Sequence, residues 1–250
     1  MQISYKIRTN AFTLIELLTV IAIIGILSAI IIPTIGKVRQ TAQRAVDASN
    51  LREVGKAALL YASDHNDRLP DPNMLPAPSI SAPNKYFVWL GLLARYGGIN
   101  EASLLFSKND GLFDGYVPPG ILNPADPTKN TLHPDLLARI PSINFVGGLK
   151  VTDPSTTPLA FTRGLTVAGT WNGIGATANL GVYGDGGGHI LFLGNNVQYF
   201  KSIENKLVGT EGTLTSDLRA TIKAGGTRRI YGLDSGNNVA AEDGVVGTGL

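Results

Sequence analysis

From Leu17 to Ile32 the chain carries no charged residue, and the apolar run that contains this stretch, Phe12 to Ile32, is 21 residues long. As a helix such a run spans roughly 30 Å, the thickness of one bilayer hydrocarbon core. Backbone polar groups in lipid must be satisfied within the segment, so a single run has only the helix open to it. No second run of this kind occurs, which predicts a single-pass anchor. The run is longer than the core of a secretory signal peptide, and no Ala-x-Ala site closes it. One residue breaks the pattern. Glu16 lies one turn inside the start, where a lone carboxylate costs about 2.5–3.5 kcal/mol on insertion scales. That marks it as a functional candidate in need of a positive partner.

Charge narrows the reading further. The formal net charge is +2, from 21 basic and 19 acidic side chains, and two of the basic ones, Lys6 and Arg8, precede the apolar run. Without them the signs balance, which argues against a nucleic-acid footprint. There is no cysteine, hence no disulfide framework and no thiolate metal site. Thirty glycines and fourteen prolines point to a loop-rich body rather than a helical bundle.

The segment Phe12-Thr13-Leu14-Ile15-Glu16, preceded by a short leader with Lys6 and Arg8 and followed by the apolar helix to Pro33, resembles the processing motif of type IV pilins and type II secretion pseudopilins. The resemblance implies cleavage between Ala11 and Phe12 by a prepilin peptidase, with methylation of Phe12. It implies that Glu16 neutralises the terminal amine of a neighbouring subunit during assembly. The expected partners are that peptidase, other pilins or pseudopilins of one filament, and an inner-membrane assembly platform. The expected location is the bacterial inner membrane, leader in the cytoplasm and body in the periplasm. Ala11 departs from the glycine usual before the cut. The lack of cysteine leans towards pseudopilins, since many major pilins carry a C-terminal disulfide. The function expected is a structural subunit of a secretion pseudopilus or a type IV pilus-like filament. The alternative is a low-copy minor pilin or a binding module on the same anchor.

The fold class expected is α+β and pilin-like: one long N-terminal helix on a small antiparallel sheet, with loop-rich insertions. Residues 1–11 form the leader, 12–33 the membrane segment and 34–66 an amphipathic continuation. There, Ile35, Val38, Ala42 and Val46, then Leu51, Val54, Ala58 and Tyr61, follow a 3.6-residue period. Pro33 removes one backbone bond and predicts a kink. Helix signals end at Asp64-His65-Asn66-Asp67, ahead of Pro70 and Pro72. Residues 67–158 read as a proline-rich insertion with one short helix over 86–96, weakened by Gly91. Residues 159–233 read as β-rich, with strands at 159–163 and 165–168. The clearest hairpin joins 189–193 to 197–201 through Gly194-Asn195-Asn196. A short helix is expected over 216–223, and residues 234–250 read as a loose tail.

No catalytic constellation is legible, and no enzyme is expected. His65, His133 and His189 share no metal-ligand spacing, and the glycine-rich run before His189 lacks a Walker lysine. No cofactor is expected beyond calcium. Asp64, Asn66, Asp67 and Asp185 are weak candidate calcium ligands, with caps and turns that bond their own backbone as the favoured use. Trp89, Trp171 and Tyr199 are candidates for a binding face, with core packing the competing use.

Overall fold

In the computed structural model the described residues are 13–74, 79–113, 115–166, 169–174, 181–222 and 229–232. The expected leader with Lys6, Arg8 and Ala11, the expected cut site at Phe12, and the expected tail from residue 234 lie outside them. The chain divides into two compact units, Met1–Ala42 and Gln43–Leu250.

One helix, α1, runs from Leu14 to Asp64. In the first unit its side chains face outward, and its most apolar window has a mean hydropathy of 2.8, with none of that window buried. By length and composition it can cross a membrane. The helix continues through Pro33. Two threonines after it give their hydroxyls back to the preceding turn, Thr34 Oγ1 to Ile30 O at 2.9 Å and Thr41 Oγ1 to Lys37 O at 3.0 Å. Such back-bonding keeps polar side chains satisfied without outside partners.

In the second unit α1 contributes a buried face built from Asp47, Leu51, Val54, Ala58, Tyr61 and Ala62. The expected stripe from Leu51 to Tyr61 is therefore the packed one. The expected Val46 position is half exposed, and its neighbour Asp47 takes the inward place. The stripe thus begins with an acid. Gly55 on the same face has its would-be Cβ within 3.2 Å of the Leu191 side chain and closer still to Asn195 Oδ1. A side chain there would push the helix off the sheet.

The sheet is five-stranded and antiparallel, in the order β4-β3-β2-β1-β7. Its strands are β1 (Ile143–Gly147), β2 (Pro158–Thr162), β3 (Gly188–Phe192), β4 (Val197–Phe200) and β7 (Arg229–Tyr231). The hairpin β3–β4 lies where the sequence places it, with Leu191 opposite Val197 and His189 opposite Tyr199, so its turn falls one residue earlier than Gly194-Asn195-Asn196. Asn195 in its turn has φ 59°, the left-handed region that asparagine tolerates better than most residues. A second, two-stranded sheet pairs β5 (Leu207–Val208) with β6 (Leu214–Thr215).

Three details differ from the sequence expectation. First, β1 falls inside the stretch read as a loop-dominated insertion. Every residue of β1, β2 and β3 is buried. A strand covered on both faces has no alternation to betray it. Second, Leu165 forms only an isolated bridge to Trp171, and residues 167–168 lie outside the described set. Third, the helix expected over 216–223 is a single 3₁₀ turn, Leu218–Thr221, with Asp217 accepting from the Arg219 amide.

The helix α2 (Lys85–Tyr96) matches its expected span. Asn84 caps its start by accepting from Phe87 N at 3.1 Å, and Gly97 closes its end. Trp89 stacks on Phe145 of β1 with ring centroids 4.0 Å apart. Gly91 is the point of closest approach, since a Cβ there would meet Ile80 Cγ2 at 2.5 Å. A third helix, α3, is one turn long (Pro134–Leu137).

Candidate functional site

The start of α1 carries a reciprocal cap. Glu16 Oε2 accepts from Thr13 N at 2.8 Å and from Thr13 Oγ1 at 2.7 Å, while Glu16 N donates to Thr13 Oγ1 at 3.2 Å. This is the capping box, Thr at the N-cap and Glu three residues on. The spacing Thr13-x-x-Glu16 is its sequence signature and would have revealed it. The box places the carboxylate at the first turn of α1, beside the amide donors that no helical carbonyl can reach. Glu16 therefore has a local partner while the helix stands alone.

The body holds a second polar assembly, at the N-terminal edge of its packed helical face. Three donors converge on Asp47: Ser107 Oγ at 2.6 Å, Tyr183 Oη at 2.8 Å and Gln43 Nε2 at 3.0 Å. Tyr183 Oη also meets His189 Nδ1 at 2.9 Å. Since the tyrosine gives its proton to Asp47, the imidazole must carry its own on Nδ1 and donate. The order of donation is His189 to Tyr183 to Asp47. Burial raises the Asp47 carboxyl above its usual range, and the three donors oppose that rise. Burial, followed by the Asp47 charge and its hydrogen bond, raises the Tyr183 phenol. His189 is lowered to about 4, by burial first and then by the charges of Arg44 and Arg52.

Next to this chain, Arg44 lies over the rings of Tyr199 and Tyr183, 4.6 and 5.2 Å from their centroids, and pairs with Asp185. Tyr199 Oη donates to Gly186 O at 2.8 Å. Gly186 and Gly187 have φ of 77° and 82°, and a Cβ on Gly187 would strike Tyr199. The glycine-rich run before β3 is thus a close-fitting turn around an arginine of α1. Asp185 supplies its charge.

The same assembly continues into the sheet. Ser107 N donates to Ser142 Oγ at 3.0 Å, and Ser142 Oγ donates to Asp110 Oδ2 at 2.7 Å. Asp110 takes both of its Arg163 contacts from Nη2, at 2.9 and 2.8 Å, and Arg163 Nη1 reaches Pro141 O at 2.8 Å. Both charged side chains are almost wholly buried, at 1% and 2% exposure.

The candidate calcium ligands are not gathered at one place. Asp64 accepts from Ser63 Oγ at 3.3 Å. Asn66 and Asp67 have left-handed backbones, and Asp67 N donates to Ala62 O at 3.0 Å, closing the end of α1. Asp185 is instead at Arg44, twenty residues of helix away, or roughly 30 Å. Among the described residues no group of three or more His, Cys, Asp or Glu could hold a metal ion. Of the candidate aromatic face, Trp89 and Trp171 are buried in the core, and Tyr199 is engaged with Arg44.

One comparison finds a match at the chain's start. Residues 7–32 match the prokaryotic N-terminal methylation motif, the prepilin motif of type IV pilins and pseudopilins. The chain therefore carries the signature of a type IV pilin-like or pseudopilin precursor, and its layout of long helix plus antiparallel sheet is pilin-like. That signature implies processing by a prepilin peptidase and assembly with other pilins, and it belongs to a structural rather than a catalytic class. The motif and the apolar helix fit membrane anchoring. No curated protein and no solved structure matches the chain.

The lowered His189 gives a pH prediction for the body. A histidine held below its ordinary value of 6.5 stabilises the fold above that value. This contribution is lost as pH falls from 6.5 through about 4. The loss is on the order of 3 kcal/mol. Asp47, raised, contributes in the opposite sense, so the histidine is isolated by substitution. His189→Asn, whose amide can still donate to Tyr183, should flatten the profile between pH 6.5 and 4 in urea unfolding. An unchanged slope would remove His189 as the cause.

Proposed function

We propose that this protein is a filament subunit, cut between Ala11 and Phe12, methylated on Phe12 and assembled into a type II secretion pseudopilus or a related type IV pilus-like filament. The observation that carries the proposal is the methylation motif over residues 7–32, at the head of a helix able to span a membrane. The resemblance to prepilins supports a leader in the cytoplasm and a body, from Gln43 onward, in the periplasm; the charges on either side of the apolar run do not decide it, since Lys37, Arg39 and Arg44 oppose Lys6 and Arg8. In lipid the capping box keeps Glu16 satisfied. On extraction into a filament, lipid contacts give way to contacts with other α1 helices, and the Phe12 amine of a neighbour becomes available to Glu16. An unpaired buried charge is expensive, so this pairing fixes axial register. The small residues Ala22, Gly25, Ser28 and Ala29 allow close helix approach.

The test is the mature N-terminus. In cells with an active prepilin peptidase, peptide mass spectrometry should find a chain beginning at Phe12 with one added methyl group. Ala11 is small enough to leave the cut site usable. A population that retains Met1 throughout would overturn the proposal.

A further inference from the structure

The first unit carries a hollow of about 390 Å³ that none of these roles uses. Ile30, Ile31, Thr34, Ile35, Val38 and Arg39 line it and share one face of α1. At about 100° per residue, Pro33 falls on the side away from the centre of that face. A proline ring clashes with the carbonyl one turn back and opens the helix on its own side, so the far side becomes the concave one. Thr34 deepens the hollow, since its side chain is small and its hydroxyl is turned back to Ile30 O at 2.9 Å. The four aliphatic side chains around it are each more than half exposed. The hollow is therefore apolar, with Arg39 at its C-terminal end.

Arg39 decides what fills it. The sequence has no acidic residue between Leu17 and Val46, while Lys37, Arg39 and Arg44 all lie there. A second α1 laid into the hollow thus brings cations to Arg39 rather than a carboxylate. Of the two acids that bound the stretch, Glu16 is 23 residues away along the chain, and Asp47 is buried and taken by three donors. The complement of the hollow is an anion joined to an apolar chain. The depth of Arg39 agrees with this. It is seven residues past Ile32, where the apolar run ends, or roughly 10 Å of helix. Helical side chains lean toward the N-terminus, which carries the guanidinium back over Ile35. From there a long cationic side chain reaches the headgroup layer while its stem stays on apolar surface. A guanidinium takes phosphate through paired N–H donors.

We propose that this hollow holds one anionic phospholipid, its acyl chain against Ile30, Ile31 and Ile35 and its phosphate on Arg39. Lys37, one turn from the hollow, adds to the positive field at headgroup level. A zwitterionic lipid carries the same phosphate with a cation of its own attached, and so gains less from Arg39. The site rests on α1 entering a bilayer, the anchoring that the methylation motif and the apolar helix support, and does not depend on filament assembly.

The experiment uses the full chain in a non-ionic detergent. Dioleoyl phosphatidylglycerol or dioleoyl phosphatidylcholine is titrated in, and retained lipid is counted by native mass spectrometry. Flotation with phosphatidylcholine vesicles reads anchoring separately. The chain should float and should retain one phosphatidylglycerol about tenfold more tightly than phosphatidylcholine. Arg39→Gln should erase that preference and still float. Thr34→Leu fills the hollow and keeps every charge, so it should weaken phosphatidylglycerol retention with flotation unchanged, which a diffuse positive field does not produce. Equal retention of the two lipids by a wild-type chain that floats overturns the site alone, as does a preference undiminished in either variant. A wild-type chain that does not float overturns the anchor and the site together. A dimer that Thr34→Leu dissociates, with no lipid preference, places a second copy in the hollow and overturns the proposal.

Discussion

Replacing Arg163 with leucine is expected to lower the unfolding free energy of the body by about 3–5 kcal/mol, the usual cost of stranding one partner of a buried ion pair. The substitution removes the guanidinium from Asp110, which among the described residues keeps Ser142 Oγ and the Leu112 amide as donors. It also orphans the carbonyl of Pro141. The carboxylate cannot turn outward, because its side chain is only 2% exposed. Charge rather than packing is the cause, so a second change should separate the two. Asp110→Asn on top of Arg163→Leu removes the stranded charge, and it should return part of the loss in urea unfolding of the full chain. A single-variant loss below about 1 kcal/mol would place the pair among those that contribute little. The effect should fall on the body alone, leaving membrane insertion of α1 intact.

Little of that ion pair was legible in the sequence. Arg163 closes a run, Leu159 to Thr162, that reads as an ordinary buried strand, and nothing within several residues of it suggests a carboxylate partner. Asp110 lies 53 positions away. Pairings of that separation are set by sheet topology, which a local period does not encode. The same holds for β1 and β7, whose short, fully or mostly buried strands show no alternation. Local signals fared better. The end of α1 at Asp64, the span of α2 and the β3–β4 turn each rest on capping or turn residues within a few positions. Asp47 lies between these cases. It sits at helical spacing from Leu51, Val54 and Ala58, so an acid on the apolar stripe was visible, but its three donors were not. At the chain's start the motif was fully legible, because its chemistry is confined to one turn of helix.

Glu16→Val should leave the protein in the membrane at wild-type level and absent from sheared filaments. Valine removes the insertion cost of a carboxylate, so anchoring does not suffer. It also removes two things at once, the charge and the side-chain half of the capping box. Loss of a cap costs about 0.5–2 kcal/mol of helix stability, and that alone could disturb the first turn of α1. Glu16→Gln separates the two, since glutamine serves at the same capping position while carrying no charge. If Glu16 acts as counter-ion to a neighbour's Phe12 amine, the glutamine variant should fail to assemble as completely as the valine variant. If the carboxylate matters only as a cap, glutamine should assemble and valine should not. Thr13→Ala supplies the converse arm. It weakens the box but leaves the charge, and it should therefore reduce helix capping while still permitting assembly. Filament content measured by shearing and immunoblot across the three variants decides between a charge that bridges two subunits and one that only caps its own helix.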